Sequence, residues 1–135
     1  MADIVTALIY DLRNDTTVAT TLGYSTNIGE SIDAEVTPPA MSVAHAGGMP
    51  GVTFETEVRV EIMARAAKRT DLTALHNRLR VKYHGKRGIN VGHVSYGGVV
   101  HVVSGRVEEP EIEEHKDAGL WEAQWFIHLL IASSF

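Results

Sequence analysis

The 135-residue chain contains no cysteine. That excludes a disulfide framework, a thiolate nucleophile and cysteine-ligated zinc, and it fits synthesis in a reducing cytosol. No apolar run approaches the roughly 20 residues that span a bilayer, so no membrane partner is expected. The opening Met-Ala-Asp-Ile-Val lacks a basic segment followed by an apolar one, and no signal peptide is expected. Catalytic signatures are also missing. Ser42, Ser95 and Ser104 have no G-x-S-x-G elbow around them. Gly85-Lys86-Arg87-Gly88 lacks the frame of a phosphate-binding loop and follows a helical pattern instead of a strand. Seven histidines are present, but none stands in H-E-x-x-H spacing. His93, His101 and His128 are the trio that neighbouring strands can bring together. Without a ligand motif they are read as sheet-surface histidines, and no metal or cofactor is expected.

What is present is an ordinary globular composition, 44% apolar and 21% charged, of a length that forms one domain over 1–135. The charge is unevenly placed. Eight of the twelve cations fall between Arg65 and Arg87, where Asp71 is the single acid. After Gly105 come seven acids against Arg106 and Lys116. The net charge of -5 therefore hides one basic and one acidic region. A molecule so divided can pair head to tail with its own copies.

Hydrophobic spacing gives the elements. Ile4, Val5, Leu8, Ile9 and Leu12 form one face of a helix that Asp3 can cap. The run Asn14 to Thr17 breaks it and can cap a short second helix, Val18 to Leu22, ended by Gly23. A short strand is expected near Asn27 and Ile28, another over Ala40 to His45, then a turn at Gly47 to Gly51. Phe54, Thr56, Val58, Val60 and Ile62 alternate with Glu55, Glu57, Arg59 and Glu61, the mark of a strand with one wet face. Thr70 is the expected N-cap of a helix carrying Leu72, Leu75, Leu79 and Tyr83 on one face, ended by Gly85. Strands are expected over Ile89 to Val94 and Val99 to Glu108, with Gly105 marking a bulge. Glu108 to Gly119 reads as a projecting hairpin tip. In the last strand Trp121, Ala123, Trp125, Ile127, Leu129 and Ile131 point inward. The expected fold is α+β, a largely antiparallel sheet with two main helices on its apolar face, plus the hairpin.

Glu108-Glu109 and Glu113-Glu114 lie on the solvated tip, which lacks the dry, concave setting that paired catalytic acids require. They are read as solvated groups or partner contacts, and the chain as non-enzymatic. The basic stretch, with Tyr83 and Tyr96 as stacking groups, allows a nucleic-acid-binding module. The acidic sheet face and tip oppose it.

The layout resembles the tail terminator (tail completion, or neck) proteins of long-tailed bacteriophages over most of the chain. The resemblance lies in the N-terminal helix with its polar break and the Val18-Ala-Thr-Thr-Leu-Gly23 turn. It continues through Pro38-Pro39-Ala-Met-Ser-Val43, the strand Phe54 to Ile62, the helix Asp71 to Leu79, and Gly119-Leu-Trp-Glu-Ala-Gln-Trp-Phe-Ile127. Gly85 to Gly98 is less typical of the family. The resemblance implies a virion subunit, assembled in the host cytoplasm, that forms a hexameric ring. The ring would cap the tail tube protein, stop its polymerisation and dock the head-tail connector protein. Arg78, Arg80, Lys82, Lys86 and Arg87 are the candidate cationic contacts. Glu109, Glu111, Glu113, Glu114 and Asp117 are their candidate counterparts on the next subunit or the tube. Glu55, Glu57 and Glu61 are candidate lumen residues, past which genome DNA would slide without specific binding. The rivals are a head-tail connector or minor tail subunit of related fold, the nucleic-acid module, and a small hydrolase or metal-dependent enzyme.

Overall fold

Asp3 opens the first helix as its position predicts. Its carboxylate accepts from the backbone N–H groups of Val5 and Thr6, two of the donors a helix start leaves unpaired. The computed structural model describes residues 3–25, 27–32, 38–50 and 55–132. The side chains of residues 48–50, 55 and 117 also lie outside this description, as does Phe54. Helix α1 spans Ile4–Arg13 and buries Ile4, Val5, Ala7, Leu8 and Leu12. The expected second helix is a five-residue π-helical turn, Thr17–Thr21. Asp15 accepts from the Val18 N–H at its start.

Strands follow as β1 (Ile28–Gly29), β2 (Ala40–Pro50) and β3 (Glu55–Ala66). Helix α2 (Arg69–Tyr83) leads to β4 (Arg87–His93), β5 (Gly98–Val107), β6 (Glu111–His115) and β7 (Leu120–Ala132). The sheet order is β1-β2-β3-β7-β5-β4, with β6 also on β7. Among the described residues only the short β1–β2 pair is parallel; the other pairs are antiparallel. The fold is α+β as expected. β7 is its spine. One edge pairs with β3 from Trp121 to Ala132. The other takes β6 along Leu120 to Gln124 and β5 along Ile127 to Ile131.

Both helices lie over the apolar face. Val60, Ile62 and Ala64 of β3, Ala123, Trp125, Ile127 and Leu129 of β7, and Val100 and Val102 of β5 share one core cluster with the buried residues of α1 and α2. Period-two alternation thus chooses the face, and the two amphipathic helices cover it.

Four local expectations are corrected. β2 continues through Pro50 where a turn was expected over Gly47 to Gly51, because β3 supplies partners as far as Thr56; the bulge falls at Ala46, Gly47 and Gly48 pair with Arg59 and Val58, and Gly51 lies outside the described residues. Helix α2 starts one residue before Thr70, and Lys68 takes the cap position without a side-chain bond. The ladder irregularity in β5 falls between Val102 and Ser104, just before Gly105. The hairpin exists, but residues 111–115 form its stem, and only the turn Lys116–Ala118 with Gly119 is tip.

Candidate functional site

The two charged regions meet along one flank, where α2 passes the connector from β5 to β6. Glu109 faces two α2 side chains. Its Oε2 lies 3.4 Å from His76 Nε2 and its Oε1 3.7 Å from Arg80 Nη1. On the outer side of the sheet Glu108 meets His128 at 2.5 Å, and this bond holds the Glu108 carboxyl below its ordinary range. The connector is therefore clipped on both sides. His76 is also tied inward, since the indole N–H of the buried Trp125 donates to its Nδ1 at 3.0 Å. An indole can only donate, so the neutral imidazole carries its proton on Nε2, toward Glu109. His76→Leu leaves that indole unpaired and should cost about 1–2 kcal/mol. His76→Asn, whose amide oxygen can accept, should recover most of it in urea denaturation. Equal losses in the two variants would refute the bond's role.

Within the basic stretch the structure sorts the cations. Arg78 donates through Nε and Nη2 to Asp15, the shortest contact 2.6 Å. Lys82 bridges Asp15 at 3.1 Å and Asp11 at 2.9 Å. The Tyr83 hydroxyl donates to Asp11. Burial disfavours the charged form of Asp15. The Arg78 bond, the Val18 N–H and Lys82 outweigh that and hold its carboxyl far below the carboxylate range. Burial beside Asp11 pushes the Tyr83 phenol well up. This cluster joins α1 and the π-helical turn to α2, so Arg78 and Lys82 serve the fold of their own chain. Arg65 likewise pairs with Glu122 at 2.8 Å.

The charge separation in the sequence is thus partly cancelled inside each molecule. Lys86 and Arg87 remain exposed at the start of β4, without an ion pair among the described residues. Glu111, Glu113 and Glu114 remain exposed on β6 in the same state. Arg80 is held loosely by Glu109, both partners being well exposed. The side chain of Asp117 lies outside the described residues. Fewer cations are left for phosphate contact than the sequence count implies.

The outer sheet face is mixed, not uniformly acidic. Glu57 is exposed, and Glu61 accepts from the Gln124 amide at 2.9 Å. Between them Arg59 lies 4.9 Å over the Phe126 ring and donates to the Ala46 carbonyl. Glu55 occupies the first position of β3, with its side chain outside the described residues. The three histidines of the candidate metal trio take separate partners. His93 packs on Tyr10 and Tyr96, His101 bonds Asn90, and His128 bonds Glu108. Among the described residues no group of three or more potential ligands could hold a metal ion.

Two groupings were not legible as sites. Asp11 and Asp15 stand four apart, as do Arg78 and Lys82, and the matched spacing was the available signal. Tyr10 stacks on Tyr96 with ring centroids 5.1 Å apart. Tyr96, expected as a base-stacking group, thus has one ring face covered. The β4–β5 turn it occupies also exposes Val94, beside a groove of about 490 Å³ lined by Thr6, Ile9, Tyr10, Arg13, Asn14 and Tyr96.

No protein-family model matches the chain, and no curated protein matches it. Among solved structures it is similar to a chain of the virion of a native gene transfer agent particle. The likeness covers 97% of this chain and 100% of that one, with a TM-score of 0.65 and 12% sequence identity. At that identity the likeness establishes a shared fold.

Proposed function

We propose that this chain is a structural, non-enzymatic virion subunit that forms a ring capping a tail tube, ends tube growth and offers the docking surface for the head connector. The observation that carries this reading is the fold likeness, end to end in both chains, to a chain of a gene transfer agent virion. The layout of helices and strands described for tail terminators supports the finer role. The mechanism is geometric. A subunit ring occupies the last face of the tube and leaves no equivalent face for another ring.

Ring closure needs two different surfaces on each subunit that fit one another. Lys86 and Arg87 form the cationic surface. The exposed acids of β6, Glu111, Glu113 and Glu114, form the other, toward the next subunit or the tube. The outer sheet face suits a lumen. Its Arg59 and Arg65 are engaged by neighbouring groups, while Glu57 stays exposed, so DNA phosphates find little to hold them.

Native mass spectrometry of the purified chain, alone and with its tail tube, tests the ring. A closed oligomer is expected, and a monomer under both conditions rejects the reading. Lys86→Glu with Arg87→Glu should shift assembly to at least about tenfold higher concentration, because opposed charges become like charges. Unchanged assembly removes these two residues from the contact. Particles lacking the chain should carry tubes of uncontrolled length in electron micrographs; tubes of normal length would rule out termination.

A further inference from the structure

Among the described residues the sheet has three outer edges, and two are blunted in their backbone. At β2 the edge carries β1 at Met41 and Ser42. It is then broken by the bulge after His45, where Arg59 takes the Ala46 carbonyl. At β4 the row is interrupted by Gly88 and Gly92 at φ of 66° and 96°, a left-handed geometry that re-aims the peptide groups. β6 has neither device. Residues 111–115 pair with β7 on one side in unbroken register. Among the described residues no backbone bond is made on the other side.

The strand is also held in place. Ile112 packs against the core, Pro110 precedes it, and Glu108 and Glu109 are clipped to His128 and His76. Its free side chains are acidic on both faces of the sheet. Glu111 and Glu113 lie opposite Gln124 and Glu122 on the outer face, and Glu114 lies opposite Trp121 on the other. Acidic side chains at an edge deter an acidic strand and attract a basic one. A second copy of this chain is a poor strand donor to it. Lys86 and Arg87 both precede the left-handed Gly88, and Arg87 opens β4, which is already paired with β5.

We propose that β6 is a strand-addition site for an extended, lysine- or arginine-bearing segment of a different protein. The added strand would complete the backbone hydrogen bonds of residues 111–115 while its cations meet Glu111, Glu113 and Glu114. The site rests on the second of the two partners named above for the β6 acids, a different protein and not the next subunit; the peptide titration is read without assembly, so its failure and that of the ring are distinguishable.

The test is a titration of the full chain with a capped peptide of alternating lysine and valine. Calorimetry reads affinity, and NMR reads amide exchange. Saturable one-to-one binding is expected, with exchange slowed at residues 111–115 and little changed elsewhere in the sheet. The same peptide N-methylated at alternate residues keeps its charge but loses half its donors, and should bind at least about tenfold more weakly. Glu111→Gln, Glu113→Gln and Glu114→Gln together should weaken the parent peptide by about tenfold or more at low salt. No binding overturns the site. Equal binding of the N-methylated peptide, or protection centred on another segment, also overturns it, since attraction without strand pairing gives that result.

Discussion

Asp15→Asn should destabilise the fold by about 2–3 kcal/mol at neutral pH. Its side chain is 4% exposed and anchors Arg78 and Lys82. Removing one member of a buried ion pair leaves the other charge uncompensated, which costs about 3–5 kcal/mol when both are buried. The lower figure applies because the Arg78 side chain is 33% exposed and water can partly replace the carboxylate. Asparagine keeps an oxygen for the Val18 N–H, so this variant isolates the charge. Asp15→Ala also loses the acceptor for the Val18 N–H and should cost about 1 kcal/mol more. The sign of the pH dependence follows from the depressed carboxyl. Its stabilisation is complete above the unfolded aspartate value, about 3.9, and is lost as pH falls from there toward the folded value. Urea denaturation should therefore show the gap between the native chain and Asp15→Asn narrowing below about pH 4. A gap independent of pH would mean that the loss is not electrostatic.

Gly105→Ala should be damaging by a different route, at about 2–3 kcal/mol. A Cβ there would lie 2.6 Å from the Tyr83 carbonyl oxygen and 3.1 Å from Leu129 Cδ2. Neither Tyr83 nor Leu129 has room to move. Tyr83 is buried, and the Gly85 N–H donates to the Gly105 carbonyl at 2.9 Å, fixing the end of α2 against β5. Relief requires lifting that end of α2, which carries Lys86 and Arg87 with it. On the proposed ring, the variant should thus lose assembly at concentrations where the native chain would assemble. Gly85→Ala is the comparison. It meets open space but sits at φ of 69° and should cost about 1–2 kcal/mol through backbone strain alone. A thermal melt placing Gly105→Ala at or above Gly85→Ala would show that the close approach is relaxed cheaply.

The strongest sequence signals were those that one element can satisfy by itself. The alternation from Thr56 to Ile62 and from Trp121 to Ile131 needs only a pleated backbone and one dry face. The Ile4–Leu12 spacing needs only a helical pitch and an Asp3 cap. These gave the sheet, its buried face and both main helices. Signals that compete with tertiary packing were weaker. Thr70 is a good capping residue, yet the helix begins earlier. Gly47 and Gly48 favour a turn, yet β3 offers a partner strand, and the ladder continues through them.

What the sequence alone determined is therefore the α+β character, the inward and outward sets of each strand, and the uneven run of charge along the chain. What only the tertiary structure decided is which charges are free. Asp15 and Arg78 are far apart in sequence and become partners only when α1 and α2 cover the same sheet, as do Glu109 and His76 when the β5–β6 connector passes α2. Periodicity is a property of a local stretch and can be read along the chain. Coulomb pairing depends on distance in space, and no local pattern fixes that distance before the core closes.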